Sequence, residues 1–302
     1  MSVTWLRGVF APIPTAFDRE GRLNRVPAGF LEHLAAGGLR GVVALGSNGE
    51  AEHLTEPERI EWLTAIQARL PKGLRLIAGT GAQSTAATLE RTRAAADCGA
   101  EAALVITPSY YRKDLTSVAL RRHYEQVAER APIPLLIYNV PGHTDLDVPT
   151  ATLALMTQHP NLVGIKDSSG KLSRLPVLRA RMPAGFIILT GRGERLAESM
   201  ALGADGAIAA LANLAPHECA QIWQLMERHE EAAAAAAQSR IKPVGEGLTD
   251  RFGVPGVKAG LRIQGFDHGP PRAPLPALSP ADESDLRSLL ESAGLLAEAV
   301  AR

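Results

Sequence analysis

Eight times in succession, a short apolar run gives way to an amphipathic stretch, and this alternation constrains the fold more than any other feature of the chain. The runs are GVFAPIPTAF (Gly8 to Phe17), GVVALGSN (Gly41 to Asn48), RLIAGTG (Arg75 to Gly81), AALVITPSYY (Ala102 to Tyr111), PLLIYNVP (Pro134 to Pro141), LVGIKDSS (Leu162 to Ser169), FIILTGRG (Phe186 to Gly193) and GAIAALAN (Gly206 to Asn213). They are nearly all apolar rather than alternating, as parallel strands covered on both faces require. Eight βα units in about 230 residues fit an α/β fold of the (β/α)8 TIM-barrel type better than a doubly wound sheet. The second unit also shows a helix start, with Thr55, Pro57 and Glu58 at capping-box spacing.

From about Glu230 the pattern changes. EEAAAAAAQSR is a strong helix former, and Arg251 to Leu261 and Pro280 to Ala301 read as helices. Gly265 to Pro280 is Pro-rich and reads as a connection. The expected organisation is a catalytic barrel over residues 1–229 and a helical appendage over residues 230–302.

Composition narrows the function classes. Lys plus Arg equals Asp plus Glu at 32 each, so no bulk charge favours nucleic acid or an anionic membrane. Cys98 and Cys219 follow no metal-ligand spacing, so neither a metal site nor a disulfide is expected. The first residues lack a signal-peptide pattern and no run approaches the ~20 apolar residues that span a bilayer. The expectation is a cytoplasmic protein.

In a barrel the chemistry lies at the C-terminal ends of the strands. The sixth run closes on Lys166-Asp167-Ser168-Ser169, and lysine is rarely buried unpaired. It is either a lysine paired near the rim or an amine desolvated so that it can attack a carbonyl and form a Schiff base. Tyr138 at the end of the fifth run is either a core tyrosine or a proton relay. Gly46-Ser47-Asn48-Gly49-Glu50 is either an ordinary turn or a nest of backbone N–H groups for an anion. Gly191-Arg192-Gly193 and Gly79-Thr80-Gly81 lack the rest of a dinucleotide fingerprint, so no nicotinamide cofactor, and no cofactor of any kind, is expected.

Taken together, GSNGE at 46–50, Tyr-Tyr at 110–111, YNVPGHT at 138–144 and GIKDSSG at 164–170 resemble the pyruvate-dependent class I aldolases grouped with N-acetylneuraminate lyase and dihydrodipicolinate synthase. The resemblance runs from about Gly8 to the C-terminal helices. It implies that Lys166 forms the Schiff base with pyruvate or a pyruvate-derived 2-keto acid, that Tyr138 shuttles the proton, and that Ser47 and Asn48 hold the substrate carboxylate. It further implies that Tyr111 reaches a neighbouring subunit's site, that Gly191 and Ile208 line the pocket, and that the assembly is a homotetramer built as a dimer of dimers. Within the family, GSNGE, KDSSG, RFGVPGVK and APLPALSP are most similar to the members that cleave 4-hydroxy-2-oxoglutarate to pyruvate and glyoxylate, in which Ser168 would touch the substrate. The synthases usually carry two threonines where this chain has Ser47 and Asn48, and an arginine where it has His143. His143 and Arg192 are the candidates to receive a second carboxylate. The rival expectations are a dihydrodipicolinate synthase, a 2-keto-3-deoxy sugar acid aldolase, and a non-catalytic keto-acid sensor.

Overall fold

All eight apolar runs form strands in the computed structural model, which describes residues 3–296. The strands are β1 (Gly8–Pro12), β2 (Gly41–Ala44), β3 (Arg75–Gly79), β4 (Ala102–Ile106), β5 (Leu135–Asn139), β6 (Leu162–Asp167), β7 (Ile187–Thr190) and β8 (Gly206–Ile208). Each pairs in parallel with the next, and β8 pairs with β1, closing the barrel. The closing seam depends on glycine: a β-carbon on Gly206 would lie 1.9 Å from the Gly8 carbonyl oxygen.

One face of the strands fills the barrel interior with Phe10, Val43, Ile77, Leu104, Leu136, Tyr138, Leu189 and Ile208. The other face packs against the surrounding helices in two further clusters. This double burial accounts for the near-continuous apolar strands. The helix Glu56–Gln67 begins with the expected capping box: Thr55 accepts from the Glu58 amide, and the Glu58 carboxylate accepts from the Thr55 amide at 2.9 Å. The first helix, Phe30–Ala36, starts only after Pro27 and a left-handed Gly29 (φ 75°). No helix among the described residues is long and apolar enough to cross a membrane.

The C-terminal helices are Glu231–Gly247, Gly253–Ile263 and Pro280–Ser292. The second begins two residues later than expected, after a wide turn at Leu248–Phe252. The last stops at Ser292, and the expected extension over 297–301 lies outside the described residues. Residues 265–280 are more than a connection. Phe266 and His268 pack against Phe30, with ring centroids 5.6 and 4.6 Å away, and Arg272 bonds back to the barrel loops.

Two buried histidines make the fold acid-sensitive. Burial pushes His123 and His268 from 6.5 down to about 4. Both stay neutral in the fold while an unfolded chain would protonate them near pH 6.5. The unfolded state therefore binds more protons between those values, and stability falls as pH drops from 6.5 toward 4. The expected loss is on the order of 3 kcal/mol per histidine. Denaturant midpoints at about pH 7 and about pH 4.5 should differ, and His123→Gln should narrow the gap. An unchanged gap in that variant would remove His123 from the account.

Candidate active site

Parallel register brings Tyr138 and Lys166 together. β5 pairs with β6 so that Tyr138 lies beside Lys166, and β6 pairs with β7 so that Lys166 lies beside Leu189. Residues opposite one another in a ladder share a face, so the lysine rises from the same interior face as the tyrosine. Lys166 is 4% exposed, and its Nζ lies 4.0 Å from the centre of the Tyr138 ring. Ile208 is fully buried in the same interior cluster as Tyr138.

The Tyr138 hydroxyl lies 3.4 Å from the Ser47 Oγ. Burial alone would push this phenol up. The Lys166 charge, with hydrogen bonds from Ser47, Lys166 and Ser168, outweighs it and holds the hydroxyl below the usual phenol value. Ser168 sits at the top of β6, its amide donating to the Asn139 carbonyl at 2.8 Å. Its hydroxyl points at Gly191, where a β-carbon would come within 1.9 Å of Oγ. Gly191 thus leaves room for Ser168 at the mouth.

Ser47 and Asn48, both half-buried, open the short turn Ser47–Gly49 after β2. The Gly49 and Glu50 amides bond back to the Gly46 and Ser47 carbonyls at 3.0 and 3.1 Å. The Ser47 and Asn48 amides are the leading pair, which a helical turn leaves without internal partners. Such a pair suits a carboxylate.

Behind the lysine, outward-facing neighbours form a polar brace that the sequence reading did not single out. The Asn139 side-chain amide donates to Asp167 at 3.2 Å and to Asp147 at 3.0 Å, while its oxygen accepts from the Val148 amide. Asp167 also accepts from the Ser169 amide at 2.8 Å and pairs with Arg174 at 3.0 Å. Arg174 and Lys171 both engage Asp147. The brace ties the ends of β5 and β6, and so the spacing of Tyr138 and Lys166. A sequence signal exists, since Asn139 and Asp167 alternate with the two inward residues and buried polar groups need partners.

A cavity of about 400 Å³ opens at this end, with Ser47, Thr107, Tyr138 and His143 among its lining and Val254 and Leu275 from the C-terminal region. Burial in the mouth, with the Lys166 charge behind it, holds His143 below its usual value, so it is neutral at pH 7. Arg192 turns to Glu194 at 3.0 Å and faces Asp250 at 3.8 Å. The Thr107 hydroxyl, fully buried on the cavity wall, has no hydrogen-bond partner among the described residues, and it is a polar group that sequence reasoning missed. Tyr111 stands apart: it is 69% exposed, as is its neighbour Tyr110 at 78%, and the two rings pack edge to face at 4.9 Å. Within one chain the structure therefore joins Lys166, Tyr138, Ser47 and Ser168, with Gly191, Ile208 and His143 around them, and leaves Tyr111 outside.

The arrangement offers a buried amine, a depressed phenol beside it and a turn with two leading amides next to that phenol, equipment suited to carbonyl addition followed by proton transfer. Comparison with known proteins gives a consistent picture. The dihydrodipicolinate synthetase family matches residues 5–293. A 4-hydroxy-tetrahydrodipicolinate synthase from Exiguobacterium is 34% identical over 94% of this chain and 97% of its own length. One from Stenotrophomonas maltophilia is 38% identical over 87% of this chain and 88% of its own. Among solved structures, a chloride-inhibited dihydrodipicolinate synthase from Acinetobacter baumannii complexed with pyruvate superposes with a TM-score of 0.90 at 32% identity, covering 96% of this chain and 100% of that one.

Proposed function

Because the chain belongs to the dihydrodipicolinate synthetase family, a family of Schiff-base carbon–carbon lyases and synthases, we propose that it cleaves a 4-hydroxy-2-keto acid, 4-hydroxy-2-oxoglutarate in the first instance, to pyruvate and glyoxylate. The observation that carries this reading is the Lys166 amine, buried at the barrel mouth 4.0 Å over the Tyr138 ring. The unprotonated amine attacks the keto carbon, and loss of water leaves an iminium that serves as electron sink. Tyr138 accepts the proton of the 4-hydroxyl as the bond between carbons 3 and 4 breaks. Glyoxylate departs, the enamine takes a proton at carbon 3, and water releases pyruvate and the free lysine. The substrate carboxylate rests on the Ser47–Asn48 turn. A relative solved with pyruvate supports the donor half.

The acceptor half is argued from the mouth. The position at which the synthases usually carry arginine is a neutral His143 here, and Arg192 is engaged by Glu194. Ser168, two residues past the lysine, adds a hydroxyl that Gly191 accommodates. A second reading, condensation of pyruvate with aspartate semialdehyde, is favoured by the names of the relatives at 34 and 38% identity. The exposed Tyr110–Tyr111 pair supports a tetramer in which Tyr111 completes a neighbouring site.

Borohydride reduction in the presence of pyruvate should leave a reduced pyruvate adduct on Lys166 alone, read by peptide mass. No adduct, or one elsewhere, sinks the Schiff-base reading. A panel of 4-hydroxy-2-oxoglutarate, 2-keto-3-deoxy sugar acids, N-acetylneuraminate, and pyruvate with aspartate semialdehyde then decides the acceptor. Turnover of the last pair alone would replace the cleavage reading with the synthase.

A further inference from the structure

Glu50 ends the turn that holds Ser47 and Asn48, and its environment sets it apart from the other carboxylates near the mouth. It is left-handed, with φ 51°, a conformation costly for a residue with a β-carbon. Its side chain is wholly buried, and Oε1 lies 2.6 Å from Nζ of Lys258, itself only 2% exposed. Oε2 accepts the Arg272 amide at 2.7 Å and lies 3.4 Å from the His53 Nδ1. Lys258 sits on the helix Gly253–Ile263 and also donates to the Pro270 carbonyl at 2.9 Å. The Arg272 guanidinium forks onto Glu58 at 2.6 and 2.9 Å and donates to the carbonyls of His53 and Gly21. Both cations lie over the Phe17 ring, 4.5 and 4.2 Å from its centre. The C-terminal region thus grips the turn through one carboxylate.

A buried ion pair is a poor means of adding stability, because desolvation offsets most of the attraction, but it is directional and punishes displacement. An apolar plug would hold the loop down without fixing its rotation. Here the two oxygens of one carboxylate are held from two segments, which fixes the backbone of Glu50 and, through the bonds of the Gly49 and Glu50 amides to Gly46 and Ser47, the orientation of the leading amides.

We propose that Glu50 is a positioning residue for the substrate carboxylate, and that Lys258 and Arg272 of the C-terminal region act through it to hold the Ser47–Asn48 turn over Lys166. This rests on the reading of that turn as the carboxylate site and of Lys166 as the Schiff-base amine. Neither cation touches the substrate. The consequence is specific: loosening the clamp weakens capture of the keto acid and leaves the chemistry at Lys166 intact.

The test uses exchange of the pyruvate methyl protons in deuterated water, followed by proton NMR, which reads imine and enamine formation whatever the acceptor is. Lys258→Met should raise the apparent KM for pyruvate about tenfold or more and change the saturating exchange rate by less than about threefold, since binding and not the reactive groups is disturbed. Removing one partner of a buried pair can unfold a chain, so the double variant Glu50→Leu with Lys258→Met is the second arm. It removes both charges and should bring the melting temperature back near the parent's while KM stays raised. A KM that returns to the parent value with the melting temperature would make the clamp merely structural and overturn the proposal, as would a normal KM in the folded single variant. Absence of exchange and of borohydride trapping in the parent protein is a separate result. It would overturn the Schiff-base reading itself.

Discussion

Replacing Lys166 by methionine should abolish turnover of any keto acid, lowering kcat/KM by on the order of 10⁴-fold or more, while leaving the barrel at least as stable as before. The two halves have one cause. Lys166 is 4% exposed, at the rim of an apolar interior that includes Leu189 and Ile208, and burying an amine there costs free energy that a thioether of similar length does not. On the proposed reading the parent bears that cost because the amine serves as the nucleophile, and a site that sacrifices stability for reactivity is a common compromise in enzymes. Lys166→Arg separates charge from nucleophilicity. It keeps a cation over the Tyr138 ring but holds its proton at any working pH, so it should be as inactive as the methionine variant. A 10⁴-fold loss corresponds to about 5.5 kcal/mol of barrier. Melting temperature and borohydride trapping measured on the same samples decide the matter. A Lys166→Met protein that retains more than about a hundredth of parental activity places the nucleophile elsewhere.

The site was legible in the sequence where chemistry and fold coincide in short segments. Lys166 and Tyr138 each end an apolar run, and once eight runs imply a barrel, parallel pairing makes them neighbours without further information. Ser47 and Asn48 were legible for the same reason, since a turn between two glycines after a strand has few conformations. What was not legible depends on distant pairing. Nothing in the sequence near Glu50 says that its partners are Lys258 and Arg272, or that residues 265–280, which read as a plain connection, carry His268 and Arg272 back to the first two loops. Such contacts are set by how the C-terminal helices dock, which periodicity does not encode. The Asn139–Asp167–Arg174–Asp147 brace is an intermediate case. Its members stand inside or beside the motifs, but their roles emerge only when the outward faces of β5 and β6 are seen to share partners. The exposed Tyr110 and Tyr111 mark the opposite limit: the single chain leaves both rings largely uncovered, and neither motif nor fold assigns them a partner within it.

Tyr138→Phe should lower kcat by about 10²- to 10³-fold, the usual contribution of a positioned acid–base group, and should do so without removing the Schiff base. The substitution deletes one oxygen and keeps the ring, so the 4.0 Å contact with the Lys166 Nζ and the packing against the interior cluster remain. The lost hydrogen bond to Ser47 is long at 3.4 Å, and its removal should cost at most about 1 kcal/mol of stability. What disappears is a phenol that burial would push up but that the Lys166 charge and the Ser47, Lys166 and Ser168 hydrogen bonds hold below its usual value. That depression raises the share of phenolate present near neutral pH, the form able to take the proton of a substrate hydroxyl. The variant should therefore still yield the pyruvate adduct at Lys166 under borohydride, more slowly, while bond cleavage fails. Ser47→Ala should fall between parent and variant, since it removes one bond that holds the phenol and leaves the Lys166 charge in place. Single-turnover kinetics with separate readouts for adduct formation and aldehyde release distinguish the steps. If Tyr138→Phe releases aldehyde within about threefold of the parent rate, far inside the expected range, the relay is another group, and the unpartnered Thr107 hydroxyl on the cavity wall becomes the next residue to replace.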